Sequence, residues 1–358
     1  MIISDLWIRN FRSYESAHFE FSPGLNAFIG PNGIGKTNLV EALSVLSTQK
    51  SHRGSPTQNL IRRGTDIGVL RAKGIRDDRD VLIELEVAKG KTKAFVNKQP
   101  LKRAKDLLGA LQVTVFAPDD LALIKFGPSN RRDYLDDLVI ALDPSQAGTY
   151  ATFEKSLKQR NSLLKQINTA KDESVEATLD VWDKRVGEAG TTVRNLRQGL
   201  LARLRPISSL AYAELAGERR DVTFDYESTW EDDLVETLVI NRTNDIRRSV
   251  TTTGPHRDDL VITLDGFDTR NEASQGEQRS LALSLRLAGH KLLTEALGEA
   301  PLLLLDDVLS ELDMDRATAL LNSLGDTQTI ITSAVELPEI VTPDAEFREF
   351  ASNDEFYG

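Results

Sequence analysis

The sequence predicts an α/β fold in which a sheet bearing a glycine-rich loop lies beside an antiparallel β-subdomain, with an α-helical lobe inserted. Three observations predict it. An apolar run at residues 25–29 leads into the glycine-rich loop and then into a helical pattern. Alternating apolar and polar residues recur between 67 and 96, and apolar residues at three- and four-residue spacing fill the middle from 119 to 217.

The N-terminal part is expected to be rich in β-strands. Apolar residues alternate with polar ones over the first 21 residues, which is typical of half-buried strands. Turn-forming segments separate the next strand-like runs, which lie at residues 67–74, 81–88, 93–96 and 113–117. These runs predict an antiparallel sheet beside the strands that carry the glycine-rich loop.

A mostly helical lobe follows, and the α/β pattern then returns. Within the lobe, a strand is predicted at 222–226 and a helix at 232–248. The later elements are a strand at 260–264, a long amphipathic helix at 277–297, a buried strand at 302–305, a helix at 316–324, a strand at 329–332 and a loosely held tail at 343–358. The predicted lobes are therefore residues 1–118 with 249–358 (lobe I) and 119–248 (lobe II).

Composition and charge argue against several classes of protein. The chain contains no cysteine, which excludes disulfides and thiolate metal sites and suits a reducing cytoplasm. No signal-peptide pattern opens it, and its longest aliphatic runs are too short to span a bilayer. We therefore expect a cytoplasmic protein with no membrane partner. The net charge of −11 argues against coating DNA through overall charge but leaves room for a local basic groove.

The glycine-rich loop matches G-x-x-x-x-G-K-[ST], the phosphate-binding P-loop. Its residues are Gly30, Pro31, Asn32, Gly33, Ile34, Gly35, Lys36 and Thr37. The motif needs a strand before it and a helix after it, because the phosphates face the N–H groups and the positive dipole end of that helix. In this context Lys36 is expected to reach the β- and γ-phosphates of ATP, and Thr37 to bind Mg²⁺.

A second half of the site is predicted where the aliphatic run at 302–305 ends in Asp306 and Asp307. A continuous aliphatic run is typical of a central strand covered on both faces, and ligands bind at the carboxyl ends of such strands. Asp306 is predicted to be the Mg²⁺-linked Walker B carboxylate. Asp307 is predicted to orient the attacking water.

Residues 273–279 precede the long amphipathic helix and allow two interpretations. Ser274 and Glu277 form a capping box, but the same helix N-terminus is also suited to binding a phosphate. Their position between the P-loop and the aspartates resembles the signature motif of ABC-type ATPase heads. That resemblance implies that Ser274, Gly276 and Gln278 contact the nucleotide bound to the other subunit of a dimer. Residues 310–313 resemble the D-loop of the same class.

Several motifs together resemble the RecF family of bacterial recombination mediators. They lie at residues 9–14, 30–39, 131–136, 254–260, 274–279 and 303–313. The resemblance implies an ABC-type, SMC-like ATPase head that lacks the long coiled coil and adds Arg12 and Asn38 to the nucleotide-binding residues. It also implies an ATP-dependent homodimer with weak, DNA-stimulated ATPase activity. Such a dimer would bind duplex, gapped or junction DNA and help RecO and RecR load RecA at single-strand gaps during repair, recombination, replication and the SOS response.

Two departures from the broader ABC pattern affect the expected chemistry. No switch histidine follows the strand at 329–332, so Thr332 or Ser333 is expected at most to hydrogen-bond the γ-phosphate or the water. No glutamine follows the strand at 113–117, and Asp119 is the nearest polar candidate for its role.

The DNA contacts are expected to come from basic residues flanking the nucleotide-binding part. The candidates are His52, Arg53, Arg62, Arg63, Lys102, Arg103 and Lys105. Two other functions remain open: the ATPase subunit of an ABC-type transporter, and an ATP-binding scaffold with little turnover. Asp307 leaves the scaffold open, because its carboxylate reaches one methylene less far than the more usual glutamate.

Overall fold

The computed structural model describes residues 1–76, 78–101, 107, 110–170, 176–338 and 342–347. Its strands are β1 (Ile2–Phe11), β2 (Tyr14–Glu20), β3 (Leu25–Ile29), β4 (Ile67–Arg76), β5 (Arg79–Ala88), β6 (Lys91–Val96), β7 (Gln99–Pro100), β8 (Val113–Phe116), β9 (Val222–Glu227), β10 (Asp259–Leu264), β11 (Phe267–Asp268), β12 (Leu302–Asp306), β13 (Thr329–Ser333) and β14 (Ala345–Phe347). Its α-helices are α1 (Lys36–Thr48), α2 (Ala122–Lys125), α3 (Pro128–Leu142), α4 (Ala147–Ala170), α5 (Glu176–Ala216), α6 (Leu234–Ile240), α7 (Arg242–Arg248), α8 (Gln275–Leu297) and α9 (Met314–Ser323). Within the described ranges, no helix combines the length and the apolar character needed to cross a membrane.

The chain divides into two compact units. The first unit contains Met1–Leu121, Leu210–Arg219 and Gln275–Gly358, and the second contains Ala122–Ser209 and Arg220–Ser274. These bounds differ from the predicted lobes, which place residues 249–274 with the first part of the chain. The reason is that β10 pairs antiparallel with β9, which joins that segment to the second unit. Pairing between distant segments leaves no trace in local spacing.

The first unit contains two sheets among its described residues. One is antiparallel, with the order β2-β1-β4-β5-β6-β7, and corresponds to the predicted β-subdomain. The other is parallel, with the order β14-β3-β13-β12-β8. The order puts β12 and β13 at the centre of the parallel sheet, so their carboxyl ends lie side by side.

Both faces of the parallel sheet are covered, which explains the continuous aliphatic run in β12. Leu302 and Leu304 lie in a core cluster with residues of α1. Leu303 and Leu305 lie in another cluster with residues of α8 and α9. Alternate side chains of a strand point to opposite faces, so each of the four leucines is buried.

The C-terminal tail corrects one expectation. We expected residues 343–358 to be loosely held, but Ala345–Phe347 forms β14 and pairs in parallel with β3. Residues 348–358 lie outside the described residues. Phe347 stacks on Phe28 with ring centroids 4.3 Å apart, and Asp344 accepts a hydrogen bond from Leu25 N at 2.6 Å. A short segment of mixed polarity can thus be ordered by adding to a sheet edge, which composition does not indicate.

The second unit contains the long helices of the middle region and a small antiparallel sheet, β11-β10-β9. The helix predicted at 232–248 is divided into α6 and α7. Two of the motifs that suggested the family resemblance meet here, because Arg131 pairs with Asp259 at 2.7 Å. The fully buried Asp258 accepts hydrogen bonds from Tyr226 Oη at 2.8 Å and Thr229 N at 2.9 Å. These contacts give both motifs a structural role inside the unit.

Candidate nucleotide-binding site

The glycine-rich loop joins β3 to the N-terminus of α1, as predicted. Gly33 and Gly35 have φ angles of +90° and +112°, a region that residues with a Cβ rarely adopt. A Cβ on Gly35 would also lie 2.9 Å from Tyr14 Oη. No side chain caps α1, and its first turn contains no acidic residue, whereas Asp313 caps α9. The first N–H groups of α1 are therefore suited to an anion.

Lys36 lies within the curl of this loop. Its side chain is almost fully buried, and Nζ donates to the carbonyl oxygens of Gly30 at 2.6 Å and Pro31 at 2.9 Å. A buried ammonium group needs such partners to offset the loss of hydration. The loop thus holds a cation beside the uncapped helix terminus, and the two features together favour a polyphosphate.

Asp306 is the point at which the two predicted halves of the site meet. Its carboxylate is 4% exposed, and Oδ1 accepts hydrogen bonds from Thr37 Oγ1 at 3.0 Å and Thr332 Oγ1 at 2.9 Å. Thr332 is in register with Asp306 on the neighbouring strand. A hydroxyl and a carboxylate are the hard oxygen donors that Mg²⁺ prefers, so Thr37 and Asp306 fit that ion.

Asp307 follows directly and has a left-handed backbone, with φ at +52°. Its N–H donates to the backbone oxygen of Thr332 at 3.0 Å and to the Thr332 hydroxyl at 3.1 Å. Its carboxylate oxygen Oδ1 accepts from Ala334 N at 3.2 Å. The second carboxylate is therefore oriented by the loop that follows β13.

Arg12 is held by an acidic residue of α1. Its guanidinium donates to both carboxylate oxygens of Glu41 at 2.6 Å and to the Asn59 carbonyl at 2.8 Å. Glu41 is fully buried and also accepts a hydrogen bond from Ser51 Oγ. Burial would raise the pKa of Glu41, but the hydrogen bonds from Arg12 and Ser51 outweigh it and hold that pKa below its ordinary value. Arg12 thus anchors the helix that follows the loop.

His52 lies at the site rather than among exposed basic residues. Only 9% of its side chain is exposed, and Nε2 lies 3.8 Å from Asp306 Oδ2. Neither ring nitrogen has a hydrogen-bond partner among the described residues. This histidine was predicted to be a DNA contact, because nothing in local spacing reveals that the segment after α1 folds back toward β12.

The other predicted nucleotide contacts occupy several places. Asn38 donates to Ser13 Oγ at 2.8 Å. Ser274 is exposed and directly precedes α8, which begins at Gln275. In the first turn of that helix, a Cβ on Gly276 would lie 3.3 Å from Arg316 Nη1, while Gln278 is buried.

The candidate for the missing glutamine, Asp119, is exposed on the short 3₁₀ helix after β8. Its neighbour Asp120 is buried instead and has structural partners. Asp120 accepts from Ala117 N at 2.9 Å and from Arg286 at 2.6 and 2.9 Å. Asp120 was not predicted, although an acidic residue at the third position of a helix can reach back to the N–H of the residue before that helix, as in a capping box.

Among the candidate DNA contacts, Arg53 and Arg63 are exposed. Arg62 forms an ion pair with Glu15 at 3.0 Å. Lys102, Arg103 and Lys105 lie outside the described residues.

The family profile and the individual relatives that match this chain agree with one another. The profile of the RecF/RecN/SMC N terminal domain matches residues 2–337. The DNA replication and repair protein RecF of Frankia alni is 40% identical over 356 residues, which cover 94% of each chain. The protein of that name from Agathobacter rectalis is 39% identical over 334 residues, covering 93% of this chain and 92% of the relative.

Solved structures agree with the sequence comparison. The recombination mediator protein RecF, solved as RecF-ATP in the RecFOR pathway, superimposes with a TM-score of 0.89 at 31% identity, covering 97% of this chain and 95% of that chain. The Smc head bound to the C-winged helix domain of ScpA gives a TM-score of 0.55 at 18% identity, covering 94% and 90%. The second match shows the fold alone, and the predicted ABC-type head architecture is confirmed.

Proposed function

Since this chain belongs to the RecF/RecN/SMC N-terminal domain family, we propose that it is an ATP-dependent DNA-binding protein of recombinational repair. The observation that carries the proposal is the meeting of Thr37, Asp306 and Thr332 beside an uncapped, lysine-bearing helix terminus. In this proposal, the site binds ATP, bound ATP drives two chains to dimerise, and the dimer binds DNA. The relatives that match nearly the whole chain are RecF proteins. They give no support to the alternative of a transporter ATPase subunit.

The nucleotide is held by residues 30–37 together with Asn38. Lys36 neutralises phosphate charge, because its Nζ already lies in the curl of the loop and exchanges backbone carbonyls for phosphate oxygens. Thr37 and Asp306 would hold Mg²⁺, and this ion would neutralise charge on the phosphates. Arg12 also contacts the nucleotide, because a guanidinium has five N–H donors and can do so while it stays paired with Glu41.

Asp307 orients the water for hydrolysis. Its carboxylate is bound by Ala334 N, whereas that of Asp306 is bound by the hydroxyls of Thr37 and Thr332, so the two aspartates have separate tasks. Turnover is slow, well below about 1 s⁻¹, toward the low end of the range of P-loop enzymes. ATP therefore serves mainly as a timed switch, and DNA accelerates its hydrolysis.

Two chains complete the nucleotide site. Ser274, Gly276 and Gln278 contact the γ-phosphate bound to the other subunit at the N-terminal end of α8. ATP drives this homodimerisation, and hydrolysis reverses it by removing the bridging phosphate. The dimer acts in the cytoplasm with RecO and RecR to load RecA at single-strand gaps.

DNA is held through its phosphates and independently of sequence. A monomer with a net charge of −11 repels DNA over most of its surface. Dimerisation doubles the local basic charge facing one duplex. We assign these contacts to Arg53, Arg62, Arg63, Lys102, Arg103 and Lys105, of which Arg62 must exchange its pairing with Glu15.

Light scattering with ATP, ADP and DNA tests the proposal. We expect dimers with ATP and Mg²⁺, monomers with ADP, and no ATP-dependent change in Lys36→Met. The salt dependence of duplex affinity is the second measurement, since each neutralised phosphate adds about −0.9 to the log–log slope. Equal slopes and affinities with ATP and with ADP would refute a DNA site built by dimerisation.

A further inference from the structure

We propose that His52 is a positioning residue for Asp306, supplying an imidazole N–H to the carboxylate oxygen that the two threonine hydroxyls leave uncovered. The inference rests on the proposed nucleotide-dependent function, because only a magnesium-linked carboxylate gains from being held in one orientation. Ligands of bound metals are commonly oriented by such outer partners, and their loss typically reduces metal affinity or activity.

The two oxygens of Asp306 have different surroundings. Oδ1 accepts both threonine hydroxyls, from Thr37 and Thr332. Oδ2 faces His52, whose Nε2 is 3.8 Å away. A typical N–H···O hydrogen bond spans about 2.9 Å, so a movement of about 0.9 Å makes the contact.

The imidazole makes no hydrogen bond elsewhere in the described part of the chain. It is nine-tenths buried, and neither ring nitrogen has a hydrogen-bond partner there. Buried polar groups are nearly always satisfied. A ring placed beside the Walker B carboxylate with both nitrogens unused therefore points to a partner that it acquires when the site works. A neutral imidazole already has one N–H, so the contact does not require the ring to be charged.

The segment that carries His52 is fixed by α1. Ser51 Oγ donates to the buried Glu41 and accepts from Arg53 N at 3.1 Å, which closes a tight turn around His52. Glu41 follows Thr37 by four residues, so both side chains lie on one face of the helix. The helix that presents the Mg²⁺-binding hydroxyl thus also anchors the histidine, and the two approach Asp306 from a common support.

Two substitutions separate this role from simple packing. His52→Leu keeps the volume and removes both nitrogens, whereas His52→Gln keeps an N–H donor of similar reach. The matched control is His18→Leu, which removes a histidine hydrogen-bonded to Asp5 at 2.9 Å on the β1–β2 hairpin. The measurement is fluorescence titration of each full-length variant with a fluorescent ATP analogue, with Mg²⁺ and with EDTA.

We expect His52→Leu to weaken Mg²⁺-dependent affinity about 10-fold or more, as loss of an outer partner commonly does, with no change in EDTA. His52→Gln should restore affinity to within about 3-fold of wild type, and His18→Leu should match wild type. Unchanged affinity in His52→Leu overturns the inference, and so does an equal loss in both His52 variants, which indicates packing.

Should His52→Leu not fold, Ser51→Ala decides instead. Ser51→Ala keeps the imidazole but removes the hydroxyl that fixes the segment around it. A loss of nucleotide affinity that occurs only with Mg²⁺ supports the inference, and unchanged affinity overturns it. Absence of nucleotide binding in the wild-type chain is a different result. It refutes the proposed function itself, and the inference with it.

Discussion

Replacing Thr332 by valine tests how the Walker B carboxylate is held. Valine has nearly the shape of threonine, so the fully buried site acquires no cavity, and only the hydroxyl is lost. That hydroxyl donates to Asp306 Oδ1 at 2.9 Å and accepts from Asp307 N at 3.1 Å. The Asp307 N–H keeps its second acceptor, the Thr332 backbone oxygen. The lost interaction is therefore the hydrogen bond to the carboxylate of Asp306.

The expected loss of affinity in Thr332→Val depends on how Asp306 is held when nucleotide is bound. If Thr37 were to bind Mg²⁺ instead, Thr332 would be the one hydroxyl among the described residues that still donates to Oδ1. A hydrogen bond to a charged group contributes about 1.5–3 kcal/mol. The same bond is present without nucleotide, so only the part that strengthens on binding contributes to the affinity. At about 1.4 kcal/mol per tenfold, Thr332→Val should therefore weaken Mg²⁺–ATP binding by at most roughly 10- to 100-fold. Affinity measured in EDTA should stay near that of wild type.

The same strand offers a matched control. Thr329 is also buried, but its hydroxyl donates to the Thr327 carbonyl at 2.9 Å. Thr329→Val makes the same chemical change four residues from the carboxyl end of β13. Fluorescence titration with an ATP analogue compares the two variants. If Thr332→Val binds Mg²⁺–nucleotide within about twofold of wild type, or if Thr329→Val loses as much affinity, the assigned role of Thr332 is refuted.

Three further outcomes are expected. Asp307→Asn should retain ATP binding and lose hydrolysis, whereas Asp306→Asn should also lose Mg²⁺-dependent binding; equal binding losses in calorimetry would contradict this division of roles. Ser274→Arg should bind nucleotide as a folded monomer without dimerising in light scattering, and normal dimers would leave Ser274 only a helix cap. Burial lowers the pKa of His290 to about 4, so unfolding takes up a proton below about pH 6.5 and stability falls from there toward pH 4 by up to about 1.4 kcal/mol per pH unit. Chemical denaturation of His290→Gln should show that its free energy of unfolding depends less on pH than that of the wild type. An unchanged pH dependence would show that His290 is not the group that takes up the proton.

The P-loop and the Walker B strand were predicted from sequence because their signals are local. A glycine pattern between a strand and a helix depends on neighbouring residues, and so does an aliphatic run that ends in two aspartates. The helix and strand positions of the first part were predicted within a few residues for the same reason. The ordered tail at Ala345–Phe347 was not, since a three-residue strand has no period long enough to recognise.

The sequence by itself predicted a nucleotide as the ligand, with Lys36, Thr37, Asp306 and Asp307 as the residues that contact it or its metal ion. Only the tertiary structure brought Thr37 to Asp306, 269 positions away, placed Thr332 beside that carboxylate and directed His52 toward it. The physical reason is that parallel strands are joined by long crossovers, so the neighbours of a strand end come from remote parts of the chain. Their identity depends on strand order and register, and neither is encoded in local residue spacing.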